Sequence, residues 1–541
     1  MGGWFENAAG PRDVPLRVPD CGGNLSALGA FAAHVTEPKP RRPVAAGARC
    51  CAMAVKRAAA FRDGSDPLVQ AARLRVVFLT LAKHAPIFVF LLAPPAIWAA
   101  FEAQWALSLS LALPAVLCLV LFAVVWRLPL PDDLRGIEAL VSIALVFGIS
   151  SLLTVPGFLA LGMPPIDALF EAVSAATTTG LSVADDPDAW PFAAHFLRSW
   201  IQWCGGLVMA TAVLALLLPS GLPARKLGQA GIDQGDRIAS TRRQAQQLLG
   251  VYVGLTVVLT ALTALTLPDP REALVLTLSA ISTGGFAPRS DSLASYSPLG
   301  QGVVMFGCTM GAVSLLTFVL ILQGKLKDAW ALRSARRIAL AILGFCVVYT
   351  AMLYVGGFGD WQTVYGELLN LVSGLTTAGY STGPMPLAGA ALLVIVIAML
   401  MGGDVGSTAG GLKLARIGII ARAVVHAAQR QRLPANAVAP LRHHGEPVEG
   451  RTLASILALV GIYIAAMSLL WLHMLARGHP SLPALFEVVS TLSTVGLSTG
   501  IVGPELSDDL KLSLTFGMWL GRLEFFAVLL LLAPRTWING R

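Results

Sequence analysis

Long apolar runs separated by short polar links make up most of this chain. Examples are Val76 to Ala100, Leu107 to Val125, Val303 to Leu322 and Ala390 to Met401. A hydrocarbon core of about 30 Å is crossed by ~20 helical residues, so these runs are long or clustered enough to span it, and roughly ten spanning helices fit the chain. The runs are continuous and do not alternate as barrel strands do, which predicts an all-α integral membrane protein.

The composition agrees with a lipid environment. Of the 541 residues, 55% are hydrophobic and 13% are charged, which is too little polar surface to cover several soluble domains. The formal net charge of +8 does not predict nucleic-acid binding, because the basic residues fall in short links and not on one amphipathic or aromatic face. The seven cysteines have neither paired spacing nor a neighbouring histidine cluster, so neither a disulfide framework nor a zinc site is predicted.

The N-terminal segment does not share this pattern. Before Arg75 the chain is rich in Ala, Gly, Pro and Arg and lacks the continuous apolar stretch of a secretory signal. We therefore predict that residues 1–72 are either a disordered tail or a misassigned start, in which case translation begins at Met53.

From residue 73 the chain divides into two leading helices and four repeats of one unit. The leading helices occupy residues 73–130, from about Arg75 to Phe101 and from Trp105 to Leu128. Each repeat consists of a spanning helix, a short amphipathic stretch that ends in a Thr/Gly turn, and a second spanning helix. Units 1 to 4 are predicted to cover residues 131–220, 221–326, 327–430 and 431–541.

The four turns share a spacing that helix packing does not require. Each has a serine six residues before a glycine and a bulky apolar or aromatic residue after it; the turns run from Ser174 to Gly180, Ser279 to Gly285, Ser373 to Gly379 and Ser490 to Gly496. Units 1 and 4 also share the sequence Phe-Glu-x-Val-Ser before the glycine. The alternative is that small residues simply let helices pack closely, but packing needs neither the threonines nor a new unit every hundred or so residues.

The basic residues predict the orientation of the turns. Lysines and arginines cluster in three links, which are placed in the cytoplasm: residues 225–243, 325–337 and 422–451. The turns then belong to the opposite half of the membrane, where four aspartates follow them: Asp185, Asp186, Asp188 and Asp291. An acidic outer mouth would concentrate cations, although charged loops outside a membrane are also commonplace.

The turns have the chemistry of a cation pathway. A cation that crosses lipid without its water shell needs oxygen ligands, and rings of backbone carbonyls provide them without a fixed charge. Glycine permits the torsions that turn carbonyls toward an axis, threonine adds carbonyl or hydroxyl oxygens, and the preceding short helix directs its negative end at the ion. The candidate ion-binding residues are Thr178, Thr179, Gly180, Thr283, Gly284, Gly285, Thr377, Ala378, Gly379, Thr494, Val495 and Gly496.

From Arg75 to the C-terminus the chain resembles the Trk/Ktr/HKT family, in which a single chain imitates a tetrameric potassium channel. The four turns are similar to the pore loops of that family, and four glycines match its filter glycines: Gly180, Gly285, Gly379 and Gly496. The resemblance implies one central pore surrounded by the four units. It also implies that glycine at all four positions favours potassium.

The match leaves two points open. Gly284 competes with Gly285 for the second filter position, and Gly285 fits the serine spacing and the following aromatic residue. Where turn 1 has Thr179, the other turns have Gly284, Ala378 and Val495. The predicted filter is therefore not strictly fourfold, and its relative preference for potassium, rubidium or sodium stays open.

A glycine-rich stretch interrupts the second helix of unit 3. It holds too much glycine to remain helical through a membrane, and irregular backbone at that depth is expected to line a cavity. The stretch resembles the family's intramembrane loop beneath the filter, which is thought to obstruct the pore and to move on opening. The implied gate-loop residues are Gly402, Gly403, Gly406, Ser407, Thr408, Gly410, Gly411 and Lys413. A phosphate-binding loop is the rival interpretation, but the Walker spacing fails and no βαβ context surrounds it.

Two charges, Arg522 and Glu524, interrupt the last apolar helix. Residues two apart point to different helix faces, so we do not expect them to pair with each other. The resemblance implies that Arg522 faces the pore near the gate loop; the alternative is an arginine that bonds loop carbonyls for packing alone. Snorkelling at a helix end is the alternative for Lys413. Three other basic residues are interpreted as interfacial anchors without a transport role: Lys83, His84 and Arg198.

The resemblance implies gated potassium uptake across the bacterial inner membrane, with potassium as transported ligand, no covalent cofactor and no catalysis. It also implies a homodimer in membrane lipid and a separate cytosolic TrkA-type regulatory subunit that binds the nucleotide, since this chain has no convincing dinucleotide fingerprint. A channel and a proton or sodium symporter share all of these motifs. The alternatives are a channel-like subunit of an ATP-driven potassium pump, a sodium/potassium cotransporter and a membrane-embedded enzyme, although we find no arranged nucleophile, base or metal ligands.

Overall fold

The computed structural model describes residues 71–129, 135–217, 237–357, 360–385, 389–434, 439–443 and 446–538. Of the N-terminal segment set apart above, only Ala71 and Ala72 belong to these residues, and the predictions about the rest of it lie outside them.

Two leading spans precede the repeats. A short turn divides the first into α1 (Leu74–Lys83) and α2 (Pro86–Phe101), and α3 (Trp105–Val125) follows. Apolar side chains on one side of α3 are largely exposed: Leu109 at 66% and Leu113 at 75%. Exposed apolar surface on this scale is expected where a helix faces lipid instead of water.

The remaining helices repeat the order of a first helix, a short helix and a second helix. Unit 1 contains α4 (Gly136–Ala160), α5 (Pro165–Ala176) and α6 (Phe192–Leu217), and unit 2 contains α7 (Arg237–Ala264), α8 (Pro270–Ile281), α9 (Pro298–Ala312) and α10 (Leu315–Leu322). After α11 (Leu326–Leu332), unit 3 contains α12 (Ser334–Val355), α13 (Trp361–Thr376), α14 (Gly389–Met401) and α15 (Leu414–Arg430). Unit 4 contains α16 (Gly450–Ala476), α17 (Ser481–Leu492), α18 (Asp508–Arg522) and α19 (Phe526–Leu532). The residue limits of the units themselves remain a prediction.

The prediction of an almost wholly helical protein is confirmed. In the described part of the chain, the strands are two residues each, β1 (Arg442–His443) and β2 (Glu446–Pro447), which pair antiparallel between α15 and α16. Six described helices are long and apolar enough to cross a membrane, or up to eight if each bent pair is one span. This is fewer than the ten expected: the second helices of units 2, 3 and 4 are split into shorter pieces, and the unbroken α6 of unit 1 is not among the six.

The second helices of units 2 and 4 are broken, as well as that of unit 3. The axes of α9 and α10 differ by 88° and those of α18 and α19 by 116°. The treatment of Val303 to Leu322 as one continuous span was therefore wrong. Hydropathy does not detect such a break, since both halves are apolar and the residues between α9 and α10 are only Val313 and Ser314.

The short helices start at recognisable signals. Pro165 and Pro270 stand at the first helical positions of α5 and α8, where proline loses no hydrogen bond. Asp269 accepts a bond from the Arg271 N–H at 2.8 Å, and Asp360 accepts one from the Thr363 N–H at 3.2 Å. These side-chain caps fix where α8 and α13 begin.

Candidate functional site

Each short helix ends in the same hydrogen-bonded motif. The threonine two residues before the glycine has a left-handed backbone in every turn, with φ of 53° at Thr178, 52° at Thr283, 54° at Thr377 and 49° at Thr494. Its N–H donates to the carbonyl three residues back, and the next N–H donates to the carbonyl of the serine five residues back. Together these bonds form a Schellman cap. A β-branched residue rarely adopts this backbone, so four copies mean that the surrounding structure requires it.

The four glycines after these threonines meet in a closed ring. Their φ values are all positive, between 81° and 98°. At each glycine, the space that a Cβ would need is filled by a carbonyl oxygen of the next turn. For Gly180, Gly285, Gly379 and Gly496 in order, that oxygen belongs to Gly284, Ala378, Val495 and Thr179. The sequence of contacts returns to turn 1 after four steps, so the turns surround one axis and leave no room for a side chain.

In the second turn, Gly285 and not Gly284 is equivalent to the other three glycines. Gly285 has φ of +83° and holds the same place in the ring. Gly284 is glycine for another reason, because a Cβ there would overlap the side-chain amide of Gln202 on α6. That amide donates to the Gly284 carbonyl at 2.5 Å.

The threonine hydroxyls of the turns are not equivalent. Thr283 Oγ1 donates to the carbonyl of Ser282 at 2.7 Å, and Thr377 Oγ1 accepts from the Gly410 N–H at 2.7 Å. The hydroxyls of Thr178 and Thr494 are buried and have no hydrogen-bond partner among the described residues. Two oxygens are thus left over at the bases of turns 1 and 4.

The glycine-rich loop between α14 and α15 lies directly against the bases of the turns. Thr408 Oγ1 donates to the carbonyls of Ile281 and Gly311, at 3.0 Å each, and so joins the end of α8 to the end of α9. Gly410 bonds Thr377 of turn 3 and also packs so closely on Ser493 of turn 4 that a Cβ would overlap its carbonyl. The loop therefore touches units 2, 3 and 4 at the level where their turns begin.

Arg522, the last residue of α18, contacts this loop. It is 2% exposed, and its guanidinium donates to the carbonyl of Thr408 at 2.8 Å and to that of Gly205 on α6 at 3.5 Å. Glu524 does not pair with it but with Arg416 of α15, at 2.6 Å, and it lies in the break between α18 and α19, where its backbone is left-handed with φ of 51°. Arg522 thus connects units 1, 3 and 4 through backbone oxygens.

Two further basic side chains, those of Arg337 and Lys413, bind the loop near its two ends. Asp404 is buried and pairs with Arg337 of α12 at 2.6 Å. Lys413 is 2% exposed and donates to the carbonyl of Ala409 within the loop. Its head group does not reach solvent, so the snorkelling alternative for Lys413 was wrong.

Behind turn 1 lies a buried ion pair that the sequence analysis missed. Arg198 of α6 is 3% exposed and pairs with Glu171 of α5 at 3.0 Å. Glu171 also accepts from Ser182 Oγ at 3.0 Å and from the Val183 N–H at 3.3 Å, just after Gly180. The guanidinium lies 4.0 Å from the ring centroid of Phe286, which follows turn 2. The interpretation of Arg198 as an interfacial anchor was therefore wrong.

The loops after turns 1 and 2 meet at a cavity of about 570 Å³. Asp188 and Asp291, two of the four aspartates predicted at the outer mouth, line it with Glu272 and Arg289. Asp188 accepts from the Ser290 N–H at 2.7 Å and its hydroxyl at 2.6 Å, and these bonds lower the pKa of the Asp188 carboxyl. Arg289 pairs with Glu272, which raises the pKa of the guanidinium. Asp188 thus joins the loop after turn 1 to the loop after turn 2, and Arg289 ties the second loop to α8.

The sequence held a signal for only some of the contacts described above that it did not predict. The match between Glu171 and Glu487 was visible in the sequence, but nothing in it named Arg198 as the partner of one of them. Gln202 carried no signal, since a glutamine in an apolar helix has no characteristic spacing. Both contacts depend on which face of α6 turns toward unit 2.

The fold combines helices long enough to cross a membrane with four short helices whose turns form a ring, and a loop lies beneath that ring. This arrangement is that of a membrane transport protein. Residues 141–538 match the model of the TrkH family, described as cation transport protein. The chain belongs to this family.

The relatives agree with this assignment. The chain is 27% identical to the Trk system potassium uptake protein TrkI of Halomonas elongata, covering 80% of this chain and 90% of that protein. It is 28% identical to the Trk system potassium uptake protein TrkH of Escherichia coli, covering 69% and 79%. The fold matches the crystal structure of the potassium transporter TrkH from Vibrio parahaemolyticus with a TM-score of 0.76 at 23% identity, covering 86% of this chain and 100% of that one.

Proposed function

We propose that this chain is a potassium uptake protein of the bacterial inner membrane and that turns 1 to 4 form its selectivity filter. The observation that carries the proposal is the closed ring of four glycines, each with positive φ and each against a carbonyl of the next turn. Backbone oxygens around one axis are the ligands that replace the water shell of a potassium ion. The relatives named as potassium uptake proteins support the choice of ion.

The filter is proposed to consist of the three residues at the end of each turn, from Thr178 to Gly180, Thr283 to Gly285, Thr377 to Gly379 and Thr494 to Gly496. The unpartnered hydroxyls of Thr178 and Thr494 support a contribution of side-chain oxygens at the base. A buried hydroxyl without a partner costs free energy, and an ion or its water at this position would satisfy it.

The glycine-rich loop, residues 402–413, is proposed to be the gate, with Arg522 holding it closed. The bonds from the loop to Thr377 and Ile281 and from Arg522 to Thr408 support this. Movement of the loop would break contacts at the base of the filter, so opening and ion binding would be coupled. The cation of Arg522 would also oppose an ion directly beneath the filter.

Uptake is proposed to need no covalent cofactor. A membrane potential of about 100 mV favours the inward movement of one charge by about 2.3 kcal/mol. We further propose that the chain acts as a homodimer with a cytosolic TrkA-type subunit that binds the regulatory nucleotide. The relatives named as members of a Trk system support this partner class.

The proposal is tested by potassium uptake in cells that lack their own potassium importers. The natural chain is expected to restore growth at low external potassium. Gly180→Ser and Gly379→Ser are expected to lose potassium preference while reaching the membrane, because a Cβ at either position overlaps a carbonyl of the next turn. Gly461→Ser is the matched control, since Gly461 lies in α16 with open space around it.

Two outcomes would contradict the proposal. One is the absence of potassium uptake by the natural chain even when a regulatory subunit is supplied. The other is a potassium preference in the two filter variants equal to that of Gly461→Ser.

A further inference from the structure

Turn 2 is held by a side chain from another unit. Gln202 of α6 in unit 1 is fully buried. Its amide nitrogen donates to the carbonyl of Gly284 at 2.5 Å, and its amide oxygen accepts from Ser279 Oγ at 2.6 Å and from the Phe286 N–H at 3.3 Å. One donor and two acceptor bonds fix the orientation of the amide.

The other three turns differ at the equivalent carbonyl. The carbonyls equivalent to that of Gly284 belong to Thr179, Ala378 and Val495, which follow from the closed ring of glycines. Within the described parts of the chain, no side chain donates a hydrogen bond to any of these three oxygens. The serine at the start of the motif also differs, since Ser174 and Ser490 bond within their own turns while Ser279 bonds Gln202.

Arg198, four residues before Gln202 in α6, also contacts turn 2. Residues four apart lie on one helix face, so α6 presents Arg198 and Gln202 to turn 2 together. The Arg198 guanidinium lies 4.0 Å from the centroid of the Phe286 ring, and the Gln202 amide binds the Phe286 N–H. The pair with Glu171 at 3.0 Å fixes Arg198 in turn.

We infer that Gln202 is a specificity-determining positioning residue, which sets the place of turn 2 and occupies one lone pair of the Gly284 carbonyl. The inference rests on the proposed function, because it assigns a residue to the selectivity of the proposed filter. Gln202 affects selectivity by positioning turn 2 and not by contact with the ion. A carbonyl that already accepts a strong bond is a weaker and less mobile ligand, so turn 2 makes the ring asymmetric. Because Gln202 belongs to unit 1, unit 1 sets how far the carbonyl of turn 2 differs from those of the other three turns.

The test compares ion preference, measured as competition of sodium and rubidium against potassium uptake, in the full-length chain. Gln202→Leu keeps the approximate volume and removes all three bonds. It is expected to lower the preference for potassium over sodium by about threefold to tenfold, the range that one or two hydrogen bonds carry. Ser279→Ala leaves Gln202 in place and removes one bond; it is expected to shift the preference in the same direction by about twofold.

Gln301→Leu is the matched control. Gln301 is also buried and also donates to backbone carbonyls, those of Leu293 and Tyr296, but outside the four turns. It is expected to lower the thermal stability of the purified protein without changing ion preference. Membrane abundance and thermal unfolding are measured for all three variants, and Ser279→Ala decides the outcome if Gln202→Leu does not reach the membrane.

The inference is overturned if the turn 2 variants that reach the membrane keep the natural ion preference, or if Gln301→Leu changes it as much as they do. These results would leave the proposed function intact, provided the natural chain prefers potassium and Gly180→Ser does not. A natural chain without potassium uptake would instead overturn the proposed function and the inference with it.

Discussion

Units 1 and 4 begin their turns with the same sequence pattern but surround it differently. Glu171 and Glu487 are both fully buried, and both bind the segment that leaves the turn: Glu171 through Ser182 and Val183, Glu487 through Ser498 and Thr499. Glu171 is also paired with Arg198. Glu487 has no ion pair among the described residues, and its Oε2 has no hydrogen-bond partner there.

The second helices differ as well. In unit 1, α6 runs unbroken from Phe192 to Leu217, whereas in unit 4 the chain bends by 116° between α18 and α19. The buried arginine of unit 1 faces a carboxylate behind the filter, while that of unit 4, Arg522, has only the carbonyls of Thr408 and Gly205 as hydrogen-bond partners among the described residues. A repeated sequence therefore supplies a common turn, whereas the charges placed around it and the shape of the second helix differ between units 1 and 4.

The largest expected effect comes from breaking the pair of unit 1. Arg198→Gln leaves Glu171 buried without its cation, and loss of one partner of a buried pair costs about 3–5 kcal/mol. Thermal unfolding of the purified protein in lipid nanodiscs measures it. The double variant Glu171→Gln/Arg198→Gln is expected to recover part of the loss, because it removes both charges. A double variant less stable than Arg198→Gln would show that the pair is not the cause.

A smaller loss of stability is expected from the buried arginine of unit 4. Arg522→Gln leaves carbonyls and not a carboxylate unsatisfied, at a cost of about 1–3 kcal/mol. Uptake in the absence of a regulatory partner is expected to rise, because Thr408 is released. The control is Arg535→Gln, since Arg535 is exposed and follows α19. A loss of stability as large as that of Arg198→Gln, or an unchanged rate of uptake, would remove the contrast between the units.

The smallest effect is expected at Glu487. Glu487→Gln keeps an acceptor for Ser498 and Thr499 and strands no cation, so a change below about 1 kcal/mol is expected. Glu171→Gln, the same substitution in unit 1, leaves Arg198 without its carboxylate and is expected to cost several times more. Thermal unfolding of the two variants side by side measures the difference. Equal losses would mean that the glutamates have the same role despite their different partners.

What the sequence by itself determined is the class of protein and the repeated turn. Continuous apolar runs leave a helical membrane protein as the only choice, because lipid offers no partner for an open backbone group. The serine-to-glycine spacing is equally local, since a Schellman cap with a left-handed threonine is closed by bonds within six residues. The interruption at Gly402 to Lys413 was also visible, as glycine is, after proline, the residue least able to continue a helix.

Only the tertiary structure decided how the four turns meet and what stands behind them. The break after α9 lies between two apolar helices and consists of Val313 and Ser314 alone, and the residues on either side of it bond Asp404 and Gly406 of the glycine-rich loop. Glu171 and Arg198 are 27 residues apart and Gln202 is 82 residues from Gly284, so no helix or turn spacing relates them. These contacts arise because α6 packs on two short helices at once, and the face that it presents to each is fixed by the packing of the whole ring.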